Sequence, residues 1–127
     1  MLESVLFLKN LLSSIAGVQT CDVDLEPNIS ANDFPLIRIV AGRSQRGDGN
    51  ITHSITIYAG VDIKKHSGGE AAYVALYGME EAIRMKIPKT DENKIYNWTE
   101  TISDEATLGS FRVLAIRYAV VEDEGYC

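Results

Sequence analysis

The hydrophobic pattern is most regular between Ile51 and Ile63, ITHSITIYAGVDI. Ile55, Ile57, Ala59, Val61 and Ile63 fall on one parity, and Ser54, Thr56, Tyr58, Gly60 and Asp62 on the other. Alternation with period two gives an extended strand one apolar and one polar face. The apolar face needs a second layer, and a helix is the usual cover. After Ser67 the period becomes helical, with Ala72, Leu76, Met79 and Ile83 recurring every three or four residues. Ser67-Gly68-Gly69-Glu70 fits a capping box at the start of this helix, and Pro88 closes it. Ala71, Ala75 and Ala82 allow close approach to a sheet, while Gly78 costs roughly 1 kcal/mol relative to alanine.

Upstream, Leu2, Val5, Leu6, Leu12 and Ile15 form one stripe of an N-terminal helix that Gly17 stops. Leu8 and Leu11 widen the stripe, which serves burial on two sides or contact with a neighbouring subunit. Val18 to Leu25 reads as a strand ended by Pro27, with Asp22, Asp24 and Glu26 pointing together from one side. Phe34 to Gly42 is a second strand. RSQRGDGN, residues 43–50, carries the residues that tolerate hairpin-turn conformations, and its polar flanks predict an arm projecting beyond the sheet. Downstream, Ile95 to Ile102 is a strand with Tyr96, Trp98, Glu100 and Ile102 on one parity. Phe111 to Val121 is apolar on both parities, which predicts a central strand, with Arg112 and Arg117 at its rim or at a subunit contact. The fold class is α+β: a mostly antiparallel sheet of about five strands against two helices, in the order α-β-β-β-α-β-β.

A length of 127 residues bounds this to a single domain, 1–127, and the 46% apolar and 24% charged fractions are those of a globular protein. A net charge of −6 argues against general nucleic-acid binding, though not against DNA passing without adhering. Cys21 and Cys127 are too few for a disulfide framework and read as free thiols. Glu3 and Lys9 interrupt the first apolar run, so no secretory leader is expected, and no stretch reaches the length of a membrane span.

Candidate chemistry is sparse. His53 and His66 have no Cys or carboxylate at ligand spacing, so no metal site is expected, and His53 on the apolar parity reads as a satisfied core or edge histidine. Gly68-Gly69 lacks the phosphate-loop lysine. Glu80, Glu81 and Arg84 read as a solvated helix face. No catalytic residue or cofactor is assigned, and the expectation is a protein that is not an enzyme. The best site candidate is the hairpin, with Arg43 and Arg46 beside Gly47-Asp48-Gly49.

The succession of an N-terminal helix, FPLIRIVAG, the glycine-rich hairpin, ITHSITIYAGVDI, GGEAAYVALYGMEEAI and two returning strands resembles the tail terminator (tail completion) proteins of tailed bacteriophages. The resemblance covers Leu2 to Val121 and is one of order and texture rather than of a short motif. It implies a structural protein of the virion tail or neck, assembled in the bacterial cytoplasm. Such a protein forms a ring, commonly a hexamer, that caps the head-proximal end of the tail tube, ends tube polymerisation and provides the head–tail joining surface. The implied partners are other copies of the chain, the tail tube protein and a connector or neck protein, with DNA passing through the lumen. Interface residues assigned by shape are Arg43, Gln45, Arg46, Gly47, Asp48, Gly49 and Asn50, together with Leu8 and Leu11. Asp22, Asp24 and Glu26 are assigned to a channel that like charge keeps from holding DNA. The alternatives are another phage neck or head-completion component, a tube subunit, or a small cytoplasmic ligand-binding module.

Overall fold

A computed structural model describes residues 1–24, 29–104 and 110–123. The elements are α1 (Leu2–Leu12), β1 (Thr20–Val23), β2 (Leu36–Arg46), β3 (Asn50–Asp62), α2 (Gly69–Lys86), β4 (Thr90–Asp91), β5 (Lys94–Asp104) and β6 (Phe111–Asp123). They build one sheet in the order β1-β2-β3-β6-β5-β4. Among the described strands only β1 pairs in parallel, against β2, and every other pairing is antiparallel. The α+β class is as the alternation implies, and the apolar-on-both-sides strand β6 is indeed interior. The sixth strand is the two-residue β4, too short to leave a period in the sequence.

Both helices lie on one face. That face collects Ile37 and Ile39 from β2, Ile55, Ile57, Ala59 and Val61 from β3, and Leu114, Ile116, Tyr118 and Val120 from β6, all buried against Val5, Leu8, Leu12, Ala72, Leu76 and Ile83. Each such aliphatic side chain contributes about 1.5–3 kcal/mol by leaving water. On the opposite face the described residues fold back only at one end. There the segment containing a 3₁₀ turn at Ala31–Asp33 carries Phe34 under the sheet to stack on Phe111, ring centroids 4.3 Å apart. Gly60 makes room for it, since a Cβ there would stand 2.8 Å from the Phe34 ring.

Local chemistry moves several expected boundaries. The first helix stops at Leu12, short of Ile15, because the Ser13 and Ser14 hydroxyls donate to the Lys9 and Leu11 carbonyls and satisfy the last turn. Its buried stripe is Ser4, Val5, Leu8 and Leu12, so Leu2 and Leu6 are exposed, contrary to the stripe read from spacing. The strand expected over Val18 to Leu25 is shorter, since Asp24 turns away at φ 73°. Ile63 begins a 3₁₀ turn rather than continuing β3, the Asp62 carboxylate accepting from the Lys64 amide. The capping box over Ser67–Glu70 does not form: Gly68 is the cap residue, at φ 145°, without a side-chain bond. A capping box forms instead at Ser30 and Asp33. Among the described residues no helix is long and apolar enough to cross a membrane.

Candidate functional site

The hairpin of β2 and β3 turns over Gly47, Asp48 and Gly49, closed by the Gly47 amide donating to the Asn50 carbonyl at 2.8 Å. Gly49 takes φ 76°, which explains a glycine at that corner. Arg43, Gln45, Arg46, Gly47, Asp48 and Gly49 are exposed and Asn50 half-buried, so the structure brings these candidates together on one end of the molecule. It is not the projecting arm that the polar flanks predict. β6 follows β3 to its very start, Asp123 opposite Asn50, and among the described residues this leaves only the outer side of β2 open.

A bulge between Ala41 and Ser44 re-aims the root of the hairpin. Gly42 lies so near β3 that a Cβ would come within 2.8 Å of the Ser54 carbonyl oxygen. The extra residue turns Ser44 to the helix side, where its hydroxyl lies 2.7 Å from His53 Nδ1. His53 Nε2 lies 2.9 Å from Glu122 Oε1 and 3.4 Å from the Met1 nitrogen. Beside them Lys94, only 6% exposed, donates to Glu3 Oε1 at 3.2 Å. Five segments distant in sequence thus meet in one polar knot.

The bond to His53 holds the Glu122 carboxyl below its ordinary range, against the opposing effect of burial and with help from Lys94. Burial works to lower the Lys94 pKa, yet the Glu3 bond and the charges of Glu122 and Glu3 leave it raised. The line Ser44–His53–Glu122 has the spacing of a proton relay. However, His53 is 4% exposed, and the 460 Å³ cavity at this end is lined by Asp48, Asn50, Glu92, Lys94 and Asp123 among others, not by Ser44 or His53. The knot's evident effect is mechanical: it fixes the hairpin root to α1, β5 and β6. His53 is the satisfied histidine that its parity predicts, but its partner sixty-nine residues away has no signal in sequence.

A second polar cluster contradicts the solvated face read for α2. Glu80 is buried at 5% exposure, accepting from Arg84 Nε at 2.9 Å and from the Thr101 hydroxyl at 2.7 Å. Trp98 Nε1 donates to that same hydroxyl at 2.9 Å, and the Arg84 guanidinium stands 4.3 Å from the indole centroid. Burial pushes the neighbouring Tyr118 phenol up to about 12, Arg84 pulling down and Glu80 pushing further up. The bulge between Trp98 and Glu100 is why Trp98 joins this cluster while Glu100 and Ile102 face the other way, and it breaks the shared parity expected of those residues.

The remaining candidates divide. Leu8 is fully buried in the protomer core, so it cannot meet a neighbour, and Leu11 is half-buried against that core. Asp22 is exposed on β1 and forms an ion pair with Lys9 at 3.7 Å. Asp24 leaves the strand at its left-handed corner, so the common acidic side does not extend past Asp22, and Glu26 lies outside the described residues. Among the described residues no three His, Cys, Asp or Glu side chains converge as a metal site requires. No protein-family model matches the chain, and no curated protein matches it either.

Proposed function

We propose that this chain is a structural subunit of a phage tail, closing with copies of itself into a ring that caps the head-proximal end of the tail tube. In that position it ends tube growth and offers the surface that joins the tail to the connector, without turning over any compound. The observation that carries the reading is how much of the protomer is left uncovered. Among the described residues the sheet's second face is covered at one end only, and Leu2, Leu6, Val74, Tyr77, Met85, Ile95 and Ile102, with part of Trp98, are large apolar side chains exposed to solvent. Their spread over both helices and the sheet suits a subunit with several neighbours. Exposed Trp, Tyr and Met side chains are also the residue types enriched in protein contacts. The hairpin end, braced at its root by His53 and Glu122, is a rigid edge for the tube or the connector. The net charge of −6 suits a lumen along which DNA slides.

Sedimentation of the purified protein, alone and mixed with assembled tubes, tests this. The expected species is a ring several times the 14.0 kDa protomer that caps tubes at one end and halts their growth. A protein that stays monomeric in both conditions overturns the proposal.

A further inference from the structure

The two borders of the sheet complement each other. Along β2, β1 accompanies only Leu36 to Ile39, and among the described residues the bonds on that side end with the Asp24 amide donating to the Ile39 carbonyl at 2.8 Å. From Ala41 to Arg46 every residue is exposed, and no described strand lies alongside. Along β5, β4 covers Lys94 and Ile95, and the Tyr96 amide donates to the Lys89 carbonyl at 2.7 Å. From Asn97 to Ser103 no described strand follows, and all but Thr101 are exposed. Each open stretch is long enough for a short ladder.

Charge and direction agree. Residues 41–46, AGRSQR, contain arginine and no acid, whereas residues 97–103, NWTETIS, contain Glu100 and no base. Arg43 lies in the bulge opposite Ser54, and Glu100 lies opposite Arg117, from which it accepts at 3.1 Å while staying half exposed, so both belong to the sheet face away from the helices. Successive antiparallel pairings from β2 through β3 and β6 to β5 make β5 run opposite to β2. A second copy, repeated by rotation, therefore sets its β5 antiparallel against β2 and continues the ladder. Borders with no strand alongside are costly to leave in water-facing proteins, and neither stretch contains proline, one of the residues that keep such borders from pairing.

We propose that copies of this chain join edge to edge, residues 41–46 of β2 in one lying along residues 97–103 of β5 in the next, with Arg43 beside Glu100. The inference rests on the ring reading and adds which surfaces meet. Such a contact is heterologous, two different edges engaging, and this is the kind that closes into a ring. A bulge within each stretch bends the border strand, so the joint requires a partner of matching curl, which a second copy supplies.

Charge exchange tests it. Arg43→Glu and Glu100→Arg, both at exposed positions, are each expected to weaken self-association at least about tenfold by placing like charges together. The double variant R43E/E100R is expected to regain assembly. Amide exchange supplies a readout free of substitutions: backbone protons in 41–46 and 97–103 should slow when the protein is concentrated enough to assemble. Oligomers indifferent to both single variants, a double variant that fails to recover, or fast exchange along both edges in assembled material each overturn the edge pairing while leaving the ring standing. A strictly monomeric wild type overturns both.

Discussion

The two faces of the sheet share one backbone and differ in almost everything else. Beneath the helices, Ile55, Ile57, Ala59 and Val61 of β3 are buried to within 1% of full enclosure. One residue away along the same strand, Thr52, Thr56 and Tyr58 are half-buried and Ser54 is exposed. The covered face carries the free energy of folding, because apolar area removed from water is its main source. The other face buries Phe34, Leu36 and Val113 at one end and carries less of it beyond them, where its composition is free to answer to a partner. Substitutions should therefore separate cleanly: those on the covered face register in stability, and those on the open face and borders register in assembly.

The largest effect expected is at Ile57→Ala, which empties a fully buried site between two central strands and α2. A loss of about 2–5 kcal/mol is expected from lost transfer energy plus the remaining cavity, read from the urea midpoint. A loss under about 1 kcal/mol there breaks the assignment of this face as the core. Next is Glu80→Ala, which leaves the Arg84 guanidinium and Thr101 hydroxyl without their shared acceptor. It should cost about 1–3 kcal/mol. It should also shift Trp98 fluorescence, since the guanidinium over the ring loses its anchor.

Glu80 also shows where sequence stops being informative. The strand β3, the central place of β6 and both helices are legible because burial on one side imposes a period, and a period survives in a linear text. Polar knots impose none. Glu80 sits one turn from Arg84, the spacing of an exposed pair, and only the bulge after Trp98 reveals that a hydroxyl and an indole wait beneath it. The same holds for the candidate site. The turn residues at 47–49 mark a hairpin, but the Ala41/Ser44 bulge that aims Ser44 at His53 adds a residue without changing the character of the text. Leu8 is legible as apolar, yet whether an apolar helical position meets the core or a neighbour depends on where the sheet lies.

The ionisable groups of the covered face give a third, smaller contrast, readable by pH. Tyr118 has its folded pKa raised by burial to about 12, so the folded state keeps a proton that the unfolded chain releases nearer 10. Stability should fall as pH rises between those values, and Tyr118→Phe should flatten that limb. Glu122 acts at the other extreme. Its folded pKa is depressed by His53, so its contribution is present above the unfolded value of 4.5 and is lost as pH falls through the folded one. Glu122→Gln should remove that acid-side loss, measured by thermal unfolding across pH 2 to 6, roughly the range of carboxylate titration.

Smaller again, and opposite in sign, is Gly78→Ala. Gly78 is exposed within α2, and an added Cβ meets nothing within 4 Å. A gain of about 0.5–1 kcal/mol is expected from helix propensity alone. A loss would mean that the helix there is pressed against something in solution, and the oligomer interface would have to include that side of α2.

The sharpest version of the contrast uses adjacent residues and one replacement. Ile57→Gln places an amide where no partner waits and should destabilise by several kcal/mol, the sum of lost burial and an unsatisfied polar group. Thr56→Gln changes the side chain that lies between Val40 and Arg117 on the open face, and should alter stability by no more than about 0.5 kcal/mol. Because the backbone and the strand are common to both, the difference isolates what lies above and below the sheet. Equal penalties at the two positions would mean that the second face is covered in the isolated protomer after all. The case for a subunit that waits for neighbours would then lose its footing, since it requires this face, unlike its reverse, to find cover only in the assembly.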